Sequence, residues 1–357
     1  MNWADDEVFR QTTEGLLVRR GVESALGAVD TVIFDIDGVL VDATGSFRYV
    51  ICDAVQFYFE RVLGVEGSAR LLQPEDTHHF KMAGGFNSDW DLTEAAIVFF
   101  LWKMHTHRLS SLEEIQGSRP SVRELTGGVS TTGGGLKSVY AWVAARLPKE
   151  EMPRVVQQAD RALIRGIFQE HYAGDQYCRR LYGFSPRYYH GPGRIHNERM
   201  ILDRSVWRPE LFSYGILSGR TPEEIDLALE LLGIRVPWGV IVGDDEVHPA
   251  KPDPWGLAEL AGTLNTRAGV YVGDTWDDLR TVLHYRARAD EPPMLFCYCL
   301  TDYADEKTLN VFKAEGADII ARDVNVFLRH LLACSQAAPQ KPLAGGVQRR
   351  PCSMGVL

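Results

Sequence analysis

Two carboxylates follow an apolar run near the start of the chain. Residues 32–42 read VIFDIDGVLVD, so Asp35 and Asp37 come directly after a predicted buried strand. Successive strand side chains point to opposite faces, so the two acids can share a site only if the chain turns just after Asp35. Gly38 permits that turn. This spacing of two acids and a glycine indicates a nucleophile assisted by a metal ion.

Further polar residues follow three later apolar runs. Ser218 ends the run YGILS, Lys251 comes after the run WGVIVG, and Asp274 and Asp278 follow the run GVYVG. In an open parallel sheet, ligands bind beyond the carboxyl ends of the strands. These strand ends, together with the first, therefore predict one shared site.

Taken in chain order, the segments DIDG, SGR, AKP and GDTWDD resemble the signatures of the haloacid dehalogenase superfamily. The resemblance covers about half of the chain, from Thr31 to Asp42 and from Tyr214 to Leu332. Asp37 favours phosphoryl transfer over halide displacement, because a halide leaving group needs no proton. The insertion before Ser218 resembles the helical cap of the phosphoglycolate phosphatase, beta-phosphoglucomutase and phosphonatase subgroup, but it is longer than is usual there.

The resemblance implies a role for each side chain. Asp35 would attack phosphorus and form an aspartyl-phosphate, which divides a difficult hydrolysis into two easier steps. Asp37 would protonate the leaving oxygen and then activate water. The Ser218 hydroxyl and the backbone N–H of Gly219 would hold phosphate oxygens, and Lys251 would neutralise the phosphate and restrain Asp35.

The remaining acids suit Mg²⁺, a hard ion that takes oxygen ligands. Asp35 and Asp274 are the expected direct ligands, with the backbone carbonyl of Asp37. Asp278 lies one helical turn after Asp274 and is expected to reach the ion through water, whereas Asp277 has a weaker claim. Mg²⁺ is therefore the predicted cofactor.

The elements that position these residues follow from alternating strand and helix patterns. From residue 213 onward the alternation is typical of an α/β fold with a doubly wound, Rossmann-like parallel sheet. One helix is clearly delimited: Thr221 is its N-cap, Pro222 its first residue, Glu224 completes a capping box, and Gly233 ends it. A mainly α-helical cap domain is expected to be inserted into this core.

Four segments are predicted along the chain. Residues 1–44 comprise an N-terminal helical extension and the first core strand with the nucleophile, and residues 45–205 form the helical cap. Residues 206–333 complete the α/β core, and residues 334–357 form a disordered tail. The expected packing residues of the N-terminal extension are Val8, Phe9, Leu16, Leu17 and Val18.

Polar cap loops are expected to contact the substrate, because a cap excludes water and supplies specificity. The segment FKMAGGFNSDWDLTEAA provides Lys81 and Asn87 as candidate substrate-binding residues. Arg220 is a third candidate that would reach a second anionic group, such as a carboxylate. Its alternative role is an ion pair with an acid on the adjacent helix.

Composition argues against several classes of partner. The formal net charge of −10 over 357 residues gives no cationic field for nucleic acids or acidic membranes. The six cysteines form no CxxC pair, as expected of reduced thiols in a cytoplasmic protein. The N-terminal residues MNWADDEVFR do not resemble a secretory signal, and the apolar run at residues 95–102 is too short to span a bilayer. The sequence leaves the oligomeric state open.

The favoured function is a Mg²⁺-dependent phosphatase that hydrolyses a small phosphorylated metabolite through an aspartyl-phosphate. A phosphomutase of the beta-phosphoglucomutase type would instead return the phosphoryl group to its substrate. A phosphonate hydrolase would need a cap lysine, for which Lys81 and Lys103 are candidates. A non-catalytic binding protein on the same fold is the alternative from another class.

Overall fold

The computed structural model describes residues 3, 5–86, 88–244, 247–300 and 304–337. The described strands are β1 (Phe9–Thr13), β2 (Leu16–Arg19), β3 (Thr31–Phe34), β4 (Val41–Asp42), β5 (Arg199–Met200), β6 (Ser213–Leu217), β7 (Ile241–Val242), β8 (Gly269–Gly273), β9 (Met294–Cys299) and β10 (Ile319–Ala321). The described α-helices are α1 (Glu23–Leu26), α2 (Phe47–Phe57), α3 (Pro74–Ala83), α4 (Asp89–His107), α5 (Leu112–Gly117), α6 (Val122–Ser130), α7 (Gly135–Ala144), α8 (Met152–Gln158), α9 (Arg161–Tyr182), α10 (Pro222–Leu232), α11 (Trp255–Thr263), α12 (Trp276–Arg286), α13 (Glu306–Glu315) and α14 (Val324–Ala337).

The main sheet has the strand order β1-β2-β10-β9-β8-β3-β6-β7 across the described residues. Strand β3 lies between β8 and β6 and is parallel to both, with Phe34 in register with Val272 and Ile216. All four residues of β3 are buried, as in a parallel strand covered by helices on both faces. The predicted doubly wound α/β core is confirmed, and its register places the ends of β3, β6 and β8 together.

The N-terminal residues correct the prediction of a helical extension. Strands β1 and β2 form an antiparallel hairpin, and β2 adds antiparallel to β10 at the sheet edge. Consecutive apolar residues suit a strand covered on both faces, although the same short run also fits one side of a helix. Among the described residues before β3, only the short α1 is helical. Of the predicted packing residues, Val8 is exposed and the others are buried: Phe9, Leu16, Leu17 and Val18.

A helical segment, α2 to α9, is inserted between β4 and β5. Its centre is α4, in which every residue from Leu92 to Lys103 is buried. Strands β4 and β5 pair antiparallel, with Asp42 opposite Arg199, so the segment leaves and rejoins the core at one place. Among the described residues, no helix combines the length and apolar character needed to cross a membrane.

In the C-terminal half, one prediction is confirmed and another is corrected. Helix α10 is confirmed in detail: Thr221 and Glu224 form the capping box, and Gly233 ends the helix at φ +64°. Helix α14 continues through Ala337, so the tail predicted to begin at residue 334 starts too early. Residues 338–357 lie outside the described part. The cysteines that the structure describes form no disulfide: Cys52, Cys178, Cys297, Cys299 and Cys334.

Candidate active site

A tight turn follows the nucleophile candidate at the end of β3. The N–H of Asp35 donates to Val272 O of β8 (2.9 Å), and the N–H groups of Leu40 and Val41 donate to Ile36 O. Gly38 has φ +72°, and a Cβ there would lie 2.2 Å from Asp274 Oδ2. The predicted turn is therefore present, and only glycine fits at this close approach.

A buried lysine joins two of the predicted acids. Lys251 Nζ lies 2.9 Å from Asp35 Oδ2, 2.7 Å from Asp278 Oδ1 and 3.3 Å from the Tyr271 hydroxyl. Burial alone would lower the pKa of Lys251, but the carboxylates of Asp278 and Asp35 raise that pKa well above its ordinary value. The lysine is therefore a fixed positive charge against the nucleophile candidate.

Asp278 is fully hydrogen-bonded within the protein. Its Oδ2 accepts from the N–H of Asp274 (3.1 Å), the N–H of Thr275 (2.9 Å) and the Thr275 hydroxyl (2.7 Å). Burial opposes its ionisation, but the Lys251 ammonium and the Thr275 donors lower the pKa of Asp278 below its usual value. Asp278 thus anchors both Lys251 and the start of α12. Its predicted contact with a metal through water stays a prediction.

Carboxylate oxygens of three acidic residues lie close together. One carboxylate oxygen from each of Asp35, Asp274 and Asp278 lies within 4.8 Å of the other two. Asp274 Oδ1 is buried and accepts no hydrogen bond from the described residues. Burial raises the pKa of Asp274 well above its usual value and that of Asp35 to about 6. An orphaned oxygen in an all-oxygen acidic cluster fits a hard cation such as Mg²⁺.

The second acid of the DIDG segment is held by a buried arginine. Arg220 Nη2 donates to Asp37 Oδ1 (2.6 Å) and to Glu198 Oε1 (2.9 Å), and Arg220 Nη1 donates to the Tyr172 hydroxyl (3.2 Å). Glu198 Oε1 also accepts from the hydroxyls of Tyr172 and Ser46. Burial raises the pKa of Glu198 despite the nearby guanidinium. Arg220 pairs with acids, as its alternative role required, but neither acid belongs to the adjacent helix.

Ser218 and Gly219 follow β6 at the same edge of the sheet. Because Phe34 is in register with Ile216, the residues after these two strands are neighbours. The Ser218 hydroxyl accepts from the N–H of Arg220 at 3.3 Å, and Gly219 lines the cleft above the sheet. Their phosphate-binding role stays a prediction.

A cleft separates this sheet edge from the helical segment. Core residues Asp35, Asp37 and Asp274 line one side, and Lys81 and Trp90 line the other. Lys81 Nζ pairs with Asp89 Oδ1 at 2.6 Å, so its charge is already balanced within the protein. Asn87 lies outside the described residues. Substrate binding by Lys81 and Asn87 stays a prediction.

Asp277 joins the helical segment to the core. The backbone N–H of Gly85 donates to both oxygens of Asp277, at 3.2 and 3.1 Å. Burial raises the pKa of this carboxyl. Asp277 therefore contacts the loop before α4, and its weaker claim as a metal ligand stays a prediction.

Some residues of the site were not predicted from the sequence. Thr275 has a readable signal, since it stands three residues before Asp278 in the spacing of a capping box. Tyr271 also has one, because it lies two residues before the end of β8. Glu198 and Tyr172 have no local signal, because they meet Arg220 only through the fold.

The same fold is present in solved structures. Phosphatase Tt82 from Thermococcus thioreducens matches with a TM-score of 0.53 and 24% identity, over 85% of this chain and 98% of that one. A structural genomics target solved by X-ray crystallography matches with a TM-score of 0.55 and 17% identity, over the same shares. No family model and no curated protein matches the chain. At these identities the similarity shows a shared fold, which confirms the α/β architecture that the motifs predicted.

Proposed function

We propose that this protein is a Mg²⁺-dependent phosphatase that hydrolyses a phosphate monoester of a small metabolite. The supporting observation is the Lys251 ammonium between Asp35 and Asp278, next to an Asp274 oxygen that accepts no hydrogen bond from the described residues. In the proposed mechanism Asp35 is the nucleophile, Lys251 is a fixed cation beside it, and the acidic oxygens at the same sheet edge hold the metal. The name of the Thermococcus protein that shares the fold agrees with this activity.

In the first step, a carboxylate oxygen of Asp35 attacks phosphorus and the bond from phosphorus to the leaving alcohol breaks. Asp37 gives its proton to the departing oxygen. Lys251 keeps Asp35 oriented, and it offsets part of the negative charge of the phosphoryl group. The product is an aspartyl-phosphate on Asp35 and a free alcohol.

In the second step, Asp37 takes a proton from water as the water oxygen attacks phosphorus. The bond between phosphorus and Asp35 breaks, which releases inorganic phosphate and restores the carboxylate. The Ser218 hydroxyl and the N–H of Gly219 hold phosphate oxygens throughout. Asp37 returns to its protonated form, so the cycle closes.

Asp35, Asp274 and the carbonyl of Asp37 would hold Mg²⁺, with Asp278 reaching it through water. Bound Mg²⁺ would supply charge that lets the anionic phosphate approach the acidic cluster. The cytoplasmic location predicted from the sequence stays a prediction.

The test is phosphate release from a panel of phosphorylated small metabolites, with Mg²⁺ and with EDTA. We expect phosphate release that requires Mg²⁺, and its rate should differ among the substrates and so rank them. Asp35→Asn should be inactive, because it removes the nucleophile. The matched control is Asp226→Asn, an exposed acid paired with Arg180 on the surface. Equal release by wild type and Asp35→Asn would contradict the proposal.

A further inference from the structure

We propose that Arg220 is a positioning residue that holds the general acid Asp37 at the leaving-group side of the cleft. This inference rests on the proposed phosphatase activity. It differs from the substrate-binding role predicted for Arg220 from the sequence. The side chain of Arg220 is 2% exposed, and all three guanidinium nitrogens donate to protein acceptors.

Arg220 engages the two oxygens of Asp37 unequally. Among the described residues, Oδ1 accepts from Nε at 3.1 Å and from Nη2 at 2.6 Å, whereas Oδ2 accepts from Nε alone, at 3.2 Å. The side chain of Asp37 is 34% exposed, in the cleft that it lines. Oδ1 is therefore the anchored oxygen, and Oδ2 is the one placed to give a proton to a leaving group.

Three further residues hold the guanidinium group of Arg220 in place. Glu198, whose side chain is 1% exposed, accepts from Nη2, and the Tyr172 hydroxyl accepts from Nη1. The ring of Phe47 lies 5.0 Å from the guanidinium carbon. Because several partners fix a planar fork, Arg220 restricts the rotation of Asp37 more than one flexible contact would.

The hydrogen-bond network around Arg220 includes residues at the places where the helical segment joins the core. Ser46, at the start of α2, donates to Glu198, and Glu198 directly precedes β5. Tyr172 belongs to α9 of the helical segment. The position of Asp37 therefore depends on residues at the two connections between the core and the helical segment.

The chemical consequence is specific to proton donation. When the bond from phosphorus to the alcohol breaks, the proton moves from Asp37 to the alcohol oxygen, and Asp37 becomes a carboxylate beside Arg220. An alcohol that leaves easily without a proton needs little help from this step. Loss of Arg220 should therefore slow poor leaving groups far more than good ones.

The experiment compares 4-nitrobenzyl phosphate, a poor leaving group, with 4-nitrophenyl phosphate, a good one of similar shape. Release of each alcohol is measured in a single turnover with enzyme in excess, which isolates the first step. We expect Arg220→Met to slow the nitrobenzyl ester by at least ~100-fold and the nitrophenyl ester by less than ~10-fold. The control is Arg267→Met, because Arg267 pairs with Asp30 on the surface and is 86% exposed.

A double-variant cycle gives a second readout. If Arg220 acts through Asp37, then Asp37→Asn with Arg220→Met should lose little more than Asp37→Asn alone on the nitrobenzyl ester. An additive loss in the double variant would overturn the inference. So would an equal loss on both esters, because a substrate-binding or purely structural arginine does not distinguish leaving groups.

Milder variants keep the test valid if Arg220→Met does not fold. Glu198→Gln removes a charge and Tyr172→Phe removes only a hydroxyl, so each should slow the nitrobenzyl ester selectively by about tenfold. Unselective losses in both would overturn the inference. A wild-type protein inactive on both esters and on the metabolite panel would overturn the proposed function and this inference with it, whereas an active wild type with unselective variants overturns the inference alone.

Discussion

Lys251 Nζ lies 2.9 Å from Asp35 Oδ2, and neither side chain is more than 7% exposed. The same ammonium lies 2.7 Å from Asp278. One buried cation therefore contacts two buried carboxylates, one directly after β3 and one in the first turn of α12. It orients Asp35 and joins the ends of β3 and β8.

Lys251→Met should destabilise the protein and abolish turnover. Removing one partner leaves buried carboxylates without a compensating charge, which costs about 3–5 kcal/mol. Urea unfolding with and without Mg²⁺ measures this loss, and Mg²⁺ should restore part of it. The exposed Lys149→Met is the control and should behave as wild type. A Lys251→Met protein with wild-type stability would show that Lys251 does not balance these acids.

Gly38→Ala should impair both stability and activity. The left-handed backbone costs a residue with a Cβ about 1–2 kcal/mol, and the new Cβ would collide with the Asp274 carboxylate. Gly64→Ala is a close control, because Gly64 has φ +69° and a Cβ there would meet nothing within 4 Å. Both variants should lose stability, but only Gly38→Ala should lose activity and Mg²⁺ binding. Equal activity in the two variants would contradict the close approach at Asp274.

Mg²⁺ should raise the melting temperature of the wild-type protein, and EDTA should reverse the effect. At 100 times the dissociation constant, binding stabilises the folded state by about 2.7 kcal/mol. Asp274→Asn should abolish this rise in melting temperature. It should also stabilise the metal-free protein, because it removes a buried carboxyl group that the carboxylates of Asp278 and Asp35 repel. Asp226→Asn should keep the rise. The metal assignment fails if Asp274→Asn responds to Mg²⁺ as wild type does.

Glu224 should make stability fall as pH rises. Burial raises the pKa of Glu224 from 4.5 to about 7, so between these values the folded protein keeps a proton that the unfolded chain releases. Its contribution is fully present below pH 4.5 and is lost as pH rises through 7. Glu224→Gln, which retains a capping-box side chain, should gain up to about 3 kcal/mol relative to wild type between pH 4.5 and pH 8. Urea unfolding at several pH values tests this, and a pH-independent difference would refute it.

Local sequence patterns predicted the core well for physical reasons. A parallel strand covered on both faces reads as a continuous apolar run, as in β3, and the polar residues after such runs must meet at one edge. Thr221 and Glu224 predict the start of helix α10, and Gly233 predicts its end. The nucleophile turn was equally readable, because Gly38 stands where the backbone needs positive φ.

The remaining features depend on contacts distant in sequence. The run at Leu16 to Val18 fits a helix when read locally, because its strand partners in β10 lie about three hundred residues later. For Arg220 the sequence leaves a substrate contact and an ion pair with the adjacent helix both open, because nothing near it in sequence indicates Glu198 or Tyr172. A buried ion-pair network is defined by three-dimensional position and has no fixed spacing.

The most direct test of the central claim is to trap the covalent intermediate. Wild-type protein mixed with Mg²⁺ and 4-nitrophenyl phosphate is quenched in acid, digested, and analysed by mass spectrometry. We predict one added phosphoryl group on the peptide that contains Asp35, absent from Asp35→Asn and from a sample quenched before substrate is added. Turnover by an active enzyme with no phosphorylated Asp35, or with the phosphoryl group on another residue, would contradict the proposed mechanism.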